Sequence, residues 1–253
     1  MSNVLIVGYG VVGHNLAREL SVLNPDIYDK YEPQHNTRQP TCYDVAFICV
    51  DTPYVDKDHP CDITEVENAI NENVSFVYVI KSAVLPGTVD YLKDKTGKHI
   101  VVSPEYYGAT PHCNNFTFDF TILGGNKKDC QFVIQLLQQA YDGRHSFRIT
   151  DTNTAELVKY MENAWIATKV TFCTQFYEIA KLSGVSYEEL RELFILDPRV
   201  NPSHTLVYAD HPYWDSHCLN KDVAAIADMF NARFLHDVIG FNDRQKKIEV
   251  CQK

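Results

Sequence analysis

The residues of this chain that are suited to covalent chemistry stand together in the segment His217-Cys218-Leu219-Asn220-Lys221-Asp222. A cysteine thiolate is a nucleophile, and a lysine and an aspartate within one helical turn are able to influence its ionisation. The sequence has eight cysteines, none in a CxxC pair, and their spacing to histidine predicts no metal site. A scattered cysteine is ordinarily a small buried apolar side chain. Both roles remain open for Cys218 on this segment alone.

A second pair of polar residues lies in a long helix that is predicted to begin near Asp151 or Thr152 and to end at Gly184. Lys159 and Asn163 are four residues apart, so they share one helix face and are able to point together into a cleft. A solvent-exposed pair is the simpler alternative. Apolar residues at helical spacing predict a buried stripe along the same helix: Leu157, Met161, Ala164, Trp165, Thr168 and Phe172.

The amino-terminal segment has the pattern of a nucleotide-binding βαβ unit. The apolar run Val4–Val7 is typical of a strand buried on both faces, and Gly8-Tyr9-Gly10-Val11-Val12-Gly13 follows it before an amphipathic stretch. Gly8 permits a tight turn, Gly10 lets the backbone approach a pyrophosphate, and Gly13 lets helix and strand pack closely. The free N–H groups at the start of the helix then bind phosphate. A surface turn without a ligand is the alternative.

An acidic residue, Asp29, follows these glycines at the distance that a dinucleotide site requires, about 20 residues. A carboxylate there accepts hydrogen bonds from the adenosine ribose and repels a 2′-phosphate, so the sequence predicts NAD rather than NADP. Lys30 comes next and is able to soften the repulsion.

The alternation of strand-like and helical segments predicts an α/β fold, with a Rossmann-type doubly wound parallel sheet over residues 1–150. Its further strands are expected at Asp26–Asp29, Asp44–Val50, Phe76–Lys81, Ile100–Ser103 and Phe120–Leu123. Residues 151–253 predict an α-helical domain, with helices at about Tyr187–Leu196, from Asp222 through Phe234, and at the end of the chain.

Composition argues against several classes of protein. The net charge of −10 argues against a protein that binds nucleic acid, because binding to a phosphate backbone requires a basic stripe. The apolar runs Val45–Val50 and Phe76–Ile80 are too short to span a membrane. No signal peptide is predicted in residues 1–13, and many unpaired cysteines indicate a reducing cytoplasm.

Taken in order, these segments resemble the UDP-glucose/GDP-mannose dehydrogenase family. The resemblance covers nearly the whole chain, and the order and spacing of its motifs make it specific. The motifs are the three glycines already described, Val50-Asp51-Thr52-Pro53, Lys81-Ser82-Ala83-Val84-Leu85-Pro86-Gly87-Thr88, Ser103-Pro104-Glu105, Gly124-Gly125, Thr154-Ala155-Glu156-Leu157-Val158-Lys159-Tyr160-Met161-Glu162-Asn163, and Cys218-x-x-Lys221-Asp222.

Members of that family oxidise the C6 hydroxyl of a nucleotide sugar to a carboxylate, with two NAD and a cysteine thiohemiacetal. The resemblance implies that Cys218 is the nucleophile and that Lys159 and Asn163 stabilise the developing oxyanion. It implies that Asp222 orients water or assists proton transfer, and that Glu105 helps hydrolysis. It also implies a homodimer through the long helix, substrate contacts from Lys221, Tyr106, Tyr107 and Arg244, and cofactor contacts from Val50, Asp51, Thr52, Pro53 and Ser82.

Several positions depart from the family pattern. The threonine of the KS-T segment is Ala83, and the second acid, four residues after Glu105, is Ala109. Residues 209–217 replace a glycine-rich strip with a longer aromatic segment, as if another ligand or a filled pocket were present. The proline before Lys221 is Asn220. The chain also ends before the domain that holds the substrate nucleotide in the family, so a weaker grip or a second chain is expected.

The sequence therefore predicts an NAD-dependent oxidation of a nucleotide sugar that proceeds through a Cys218 thiohemiacetal. Two alternatives stay open. One is a two-electron alcohol or β-hydroxyacid dehydrogenase, which needs the Lys159–Asn163 pair but no cysteine. The other is a catalytically inactive, NAD-binding dimeric subunit.

Overall fold

Seven β-strands form one sheet in the part of the chain that the computed structural model describes, residues 3–108 and 118–252, with the backbone alone for residues 249–252. Ala109 and Cys113 lie outside the described residues. The strands are β1 (Val4–Val7), β2 (Asp26–Tyr28), β3 (Tyr43–Ile48), β4 (Ser75–Ile80), β5 (Ile100–Val102), β6 (Phe120–Gly124) and β7 (Ser146–Thr150).

The order of the strands places a crevice at the end of β1. The order across the sheet is β2-β1-β3-β4-β5-β6-β7, so the chain crosses from β2 over β1 to reach β3. In open α/β sheets, a ligand binds outside the carboxyl ends of the strands on either side of such a reversal. Gly8 follows β1 directly, Asp29 follows β2, and Cys49 follows β3.

The first five strands are parallel, as predicted, but the sheet does not stay parallel. β5 and β6 pair in antiparallel fashion through Val102 and Gly124, and β7 then pairs with β6 in parallel. β7 was not predicted from the sequence. A run of apolar residues shows that a strand is present but not the direction in which it runs, so the reversal at β6 was not visible in the sequence. β7 was missed because the partly exposed Ser146–Thr150 has few apolar residues.

Both faces of the sheet are buried, because successive residues of one strand enter opposite clusters. Val4 and Ile6 belong to one apolar cluster, and Leu5 and Val7 belong to the other. Four helices follow β1, β3, β4 and β6 along the chain: α1 (Val11–Glu19), α2 (Thr64–Glu72), α3 (Thr88–Thr96) and α4 (Lys127–Leu137). This confirms the α/β fold and explains the continuous apolar runs of the strands.

Contacts between residues divide the chain into two compact units, the first with residues 1–55 and 61–159 and the second with residues 56–60 and 160–253. The division falls within a long helix, α5 (Thr152–Ser183), which has the extent that the sequence predicted. Asp151 caps it by accepting a hydrogen bond from the backbone N–H of Thr154 at 2.8 Å. The later helices are α6 (Tyr187–Phe194), α7 (His217–Met229) and α8 (Arg233–Gln252).

Two expectations about the helices were wrong. α7 begins at His217 rather than Asp222, because the hydroxyl of Ser216 accepts a hydrogen bond from the N–H of Leu219 and caps the helix there. It also ends at Met229 and does not continue through Phe234, which belongs to α8. The apolar stripe of α5 is not buried in this chain: Met161 is 73 % exposed and Trp165 is 60 % exposed, and Leu157 and Phe172 are exposed as well. Helical spacing reveals an apolar face but not what covers it.

Candidate active site

The glycine loop of the first unit has the geometry of a phosphate cradle. Gly8 has φ +90°, and a Cβ atom there would lie 2.7 Å from the carbonyl oxygen of Cys49. A Cβ at Gly13 would lie 2.0 Å from the carbonyl oxygen of Gly8, whereas one at Gly10 would meet nothing within 4 Å. No side chain caps α1 at Gly10. The first N–H groups of α1 are therefore available to a pyrophosphate, and these residues fit NAD.

Asp29 is buried beside this loop and is held by three backbone donors. Its carboxylate accepts hydrogen bonds from the N–H groups of Tyr9 at 2.6 Å, Tyr31 at 2.7 Å and Glu32 at 2.9 Å. Burial by itself would raise the pKa of the Asp29 carboxyl, but the three backbone hydrogen bonds outweigh burial and hold the pKa below its ordinary value. Asp29 is thus anionic at neutral pH.

Lys30, which was expected to soften the charge of Asp29, is engaged by another acid. Its Nζ lies 3.1 Å from Oε1 of Glu65 on α2. Lys30 is therefore paired with Glu65 and is less available to a 2′-phosphate near Asp29.

The other predicted cofactor residues tie two strand ends together. The hydroxyl of Ser82 donates to the carbonyl of Val50 at 2.6 Å, and the hydroxyl of Thr52 donates to the carbonyl of Ala83 at 2.7 Å. Asp51 and Pro53 are exposed beside them. These hydrogen bonds join the loop after β3 to the loop after β4, at the edge of the sheet where Gly8 and Asp29 lie.

A buried ion pair in the first unit joins two of the predicted catalytic residues. Nζ of Lys159 on α5 lies 3.7 Å from Oε1 of Glu105, and each side chain is 8 % exposed. Oε2 of Glu105 accepts a hydrogen bond from the N–H of Tyr107 at 2.7 Å. The ring of Tyr106 lies 5.4 Å from Nζ of Lys159. The arrangement offers a fixed cation and a carboxylate with one oxygen already oriented.

Tyr107, predicted as a substrate contact, has its side chain turned toward the protein. Its hydroxyl makes a hydrogen bond with Glu19 at the end of α1, and burial raises the pKa of the Tyr107 hydroxyl well above its usual range. Tyr141 donates to the same carboxylate at 2.6 Å. This anchors the segment that carries Glu105, which is a role that the sequence did not suggest.

A second polar cluster lies in the second unit, around Asp222 of α7. Nδ2 of Asn163 donates to Oδ2 of Asp222 at 2.7 Å, and Nζ of Lys221 donates to Oδ1 at 2.6 Å. Asp222 and Asn163 are buried. Asp222 therefore orients both side chains, and its predicted part in proton transfer stays a prediction.

Cys218 lies in the first turn of α7, two positions after the cap. Its side chain is half-buried. The amino end of a helix favours a negative charge, which is the form that a nucleophilic cysteine needs. The sequence placed Cys218 before the helix and so missed this electrostatic contribution.

In the aromatic segment before Cys218, the side chain of Trp214 packs into the protein. Trp214 is buried in an apolar cluster with Ala167, Leu219, Val223 and Val238. Its backbone exchanges two hydrogen bonds of 2.9 Å with the side chain of Asn242 on α8, and its Nε1 donates to Thr171 at 3.0 Å. The sequence suggested either another ligand or a filled pocket at this segment, and the structure supports the filled pocket.

Arg244, another predicted substrate contact, is exposed on α8. Its Nη1 donates to the carbonyl of Gly240 at 3.3 Å, and its guanidinium lies over the ring of Phe241. Its contact with substrate stays a prediction. Within the described ranges, no three His, Cys, Asp or Glu side chains are placed to hold a metal ion, and no helix has the length and apolar character of a membrane span.

The sheet, its glycine loop and the acid after β2 define a dinucleotide-binding protein of the dehydrogenase type. The models of the UDP-glucose/GDP-mannose dehydrogenase family match it twice, the NAD binding domain over residues 22–143 and the central domain over residues 153–244. The chain belongs to this family.

Relatives of known function are similar over most of the chain. GDP-mannose 6-dehydrogenase of Pseudomonas syringae pv. tomato is 30 % identical over 203 residues, which are 72 % of this chain and 45 % of that protein. UDP-N-acetyl-D-mannosamine dehydrogenase of Methanococcus vannielii is 28 % identical and covers 79 % of this chain and 48 % of its own length. The chain thus spans about half the length of these relatives.

A solved structure has the same fold. The UDP-glucose dehydrogenase of Pyrobaculum islandicum superposes with a TM-score of 0.80 at 19 % identity, over 96 % of this chain and 68 % of that one.

Proposed function

We propose that this chain oxidises the C6 hydroxyl of a nucleotide sugar with NAD, through a thiohemiacetal on Cys218. One observation carries the proposal: the polar residues that the chemistry requires are retained and held in place. Glu105 pairs with Lys159 in the first unit, and Asp222 holds Asn163 in the second.

Each residue has a part that its surroundings support. NAD supplies the hydride acceptor when it is bound by the glycine loop and Asp29. Lys159 stabilises the oxyanion that develops at the substrate oxygen. With NAD as the hydride acceptor, the C6 alcohol would lose a hydride and its hydroxyl proton to become an aldehyde. The Cys218 thiolate attacks the aldehyde carbon to form the thiohemiacetal, which would lose a second hydride, to another NAD, and a proton to become a thioester. Water, activated by Glu105, adds to the thioester carbon and releases the carboxylate and the Cys218 thiolate. The full reaction forms two NADH for each alcohol.

The decisive experiment measures NADH formed per sugar nucleotide consumed, with UDP- and GDP-sugars and product mass. We expect a ratio of two for the unmodified chain. Cys218→Ser should stall after one hydride or trap an ester, because an alkoxide leaves far less readily than a thiolate. Cys42→Ser is the control, since Cys42 is an exposed free cysteine. A ratio of two that survives Cys218→Ser would refute the thiohemiacetal.

A two-electron oxidation is the second candidate, and Ala83 is the observation that favours it. The side chain of Ala83 is a methyl group, where the family has a threonine hydroxyl. Only the backbone carbonyl of Ala83 takes part in a hydrogen bond there, which it accepts from the hydroxyl of Thr52. A ratio of one in both the unmodified chain and Cys218→Ser would support it. NAD binding without NADH on any sugar nucleotide would support an inactive subunit.

We also propose that the active form is a homodimer in a reducing cytoplasm. Many of the exposed apolar residues of the second unit lie on α5 and α6, among them Met161, Trp165, Phe172, Phe176, Leu182, Leu193 and Phe194. Such a face is typical of a subunit interface. The six cysteines whose side chains the structure describes form no disulfide, which suits a reducing compartment.

A further inference from the structure

Lys81 is a buried lysine of the first unit to which neither the sequence nor the proposed mechanism gives a role. It follows β4, and its backbone N–H donates to the carbonyl of Ile48 at 2.8 Å. Its Nζ donates to the hydroxyl of Ser103 at 3.2 Å and to the carbonyl of Pro104 at 3.4 Å. These two residues directly precede Glu105. The ammonium therefore holds the backbone that carries the carboxylate.

Lys81 is surrounded by several titratable groups, of both signs of charge. The titratable groups that act on it are Cys49, Glu19, Glu105 and Lys159. Burial raises the pKa of the Cys49 thiol to about 12, so this group stays neutral. Glu19 accepts a hydrogen bond from Tyr141 at 2.6 Å. Glu105 directly follows the two residues that Lys81 holds, and its Oε1 lies 3.7 Å from Nζ of Lys159.

We propose that Lys81 is a positioning residue for the proposed oxidation: it fixes the Ser103–Pro104 backbone and, as a second cation beside Glu105, repels the Lys159 ammonium and so controls its protonation. Only the expected effects on kcat and on its pH profile rest on the proposed function.

Physical chemistry supports a role beyond packing. A buried charge is costly unless it is paired and hydrogen-bonded, and a methylene chain of similar length would fill the same space without that cost. Burial lowers the pKa of the Lys81 ammonium, and the repulsion from Lys159 acts in the same direction. Repulsion between two charges is reciprocal, so Lys81 must make it easier for Lys159 to lose its proton.

The direct test follows each lysine by NMR of protein labelled with ¹³C at lysine Cε, without substrate. The signal of Lys159 is the one that disappears in Lys159→Met. We expect it to titrate at higher pH in Lys81→Met than in the unmodified chain, and at its original pH in Lys81→Arg. Lys98→Met is the control, because Lys98, which is half-buried, likewise donates a hydrogen bond to a backbone carbonyl, that of Ile70.

A reciprocal measurement keeps the test valid if Lys81→Met fails to fold. In Lys159→Met, the signal of Lys81 should titrate at higher pH than in the unmodified chain. If neither lysine responds to loss of the other beyond the scatter of repeat titrations, the proposal is overturned and Lys81 is structural.

The kinetic test uses a sugar nucleotide that the unmodified chain has been shown to oxidise. Lys81→Met should lower kcat, by up to about 10²-fold if Glu105 is displaced. It should also move the limb of the pH profile that reports Lys159 to higher pH, whether Lys159 acts as a cation or as a base. A fall in kcat with an unmoved limb would contradict the proposal. Absence of activity on every sugar nucleotide would refute the proposed function and leave the NMR result to decide on Lys81.

Discussion

Asp29 shows how a single carboxylate is able to hold the backbone around it and still keep an acceptor position for a ligand. Three backbone N–H groups occupy part of its acceptor capacity, and a carboxylate has about four acceptor positions. One position is therefore left for a ribose hydroxyl. The negative charge, which those donors stabilise, opposes a 2′-phosphate.

We expect the unmodified chain to bind NAD more tightly than NADP. Asp29→Ala and Asp29→Asn should both narrow the difference, because each removes the charge. Loss of a hydrogen bond to a charged group costs about 1.5 kcal/mol or more, so NAD affinity should fall about tenfold. Calorimetric titration with both cofactors measures this. Asp58→Asn, which changes an exposed acid, is the control. Equal affinity for the two cofactors in the unmodified chain would contradict the role of Asp29.

At the scale of elements, α5 caps α3 through Glu156. Its buried carboxylate accepts hydrogen bonds from the backbone N–H groups of Gly87 and Val89, both at 2.8 Å. Thr152 adds a hydrogen bond to Asp90 at 2.9 Å. The start of α3 is thus fixed by a helix that follows it by more than fifty residues in sequence.

Glu156 should make stability depend on pH. Burial raises its pKa from 4.5 to about 7, although the N–H groups of Val89 and Gly87 oppose this. The folded protein therefore binds more protons than the unfolded chain between these values, and the free energy of unfolding should fall as pH rises from 4.5 to about 7. Urea unfolding at a series of pH values measures this slope.

Glu156→Gln should flatten the slope, because the amide does not titrate. Glu72→Gln, which changes an exposed glutamate at the end of α2, should leave it as in the unmodified chain. A slope that is the same in Glu156→Gln as in the unmodified chain would show that another group is responsible.

At the scale of the whole molecule, the proposed homodimer explains the exposed face of α5 and α6. Scattered apolar residues are normal at a surface, but a contiguous apolar face marks an interaction site. The second unit also has an apolar depression between these helices, lined by Phe172, Phe176, Leu190 and Phe194 among others.

Charge placed on that face should break the proposed dimer. We expect the unmodified chain to have twice its 28.9 kDa mass by light scattering after size exclusion, and Met161→Glu with Trp165→Glu to be a monomer. Val22→Glu changes an apolar residue of the first unit that is 68 % exposed, and it should leave the dimer intact. A monomeric mass for the unmodified chain would contradict the proposed homodimer.

The sequence by itself determined the elements whose signals are local. The glycine loop after β1, the acid after β2, and the capped helix from Thr152 to Ser183 each depend on neighbouring residues, so their patterns are visible without the fold. The resemblance of ordered motifs added the family and the predicted site residues. Where the local signal was weak, as at β7 and at the Ser216 cap, the prediction missed the strand or began the helix too late.

Only the tertiary structure decided which side chains meet and which faces remain open. Asn163 and Asp222 are 59 residues apart in the chain, and nothing in their spacing determines the 2.7 Å between their side chains. The same holds for Lys81, whose sequence motif gave no indication of a buried ammonium near Glu105. Burial and pairing are properties of the surroundings, which come from distant segments. For that reason the charge on these groups, and the exposure of the α5 face, could be established only from the folded chain.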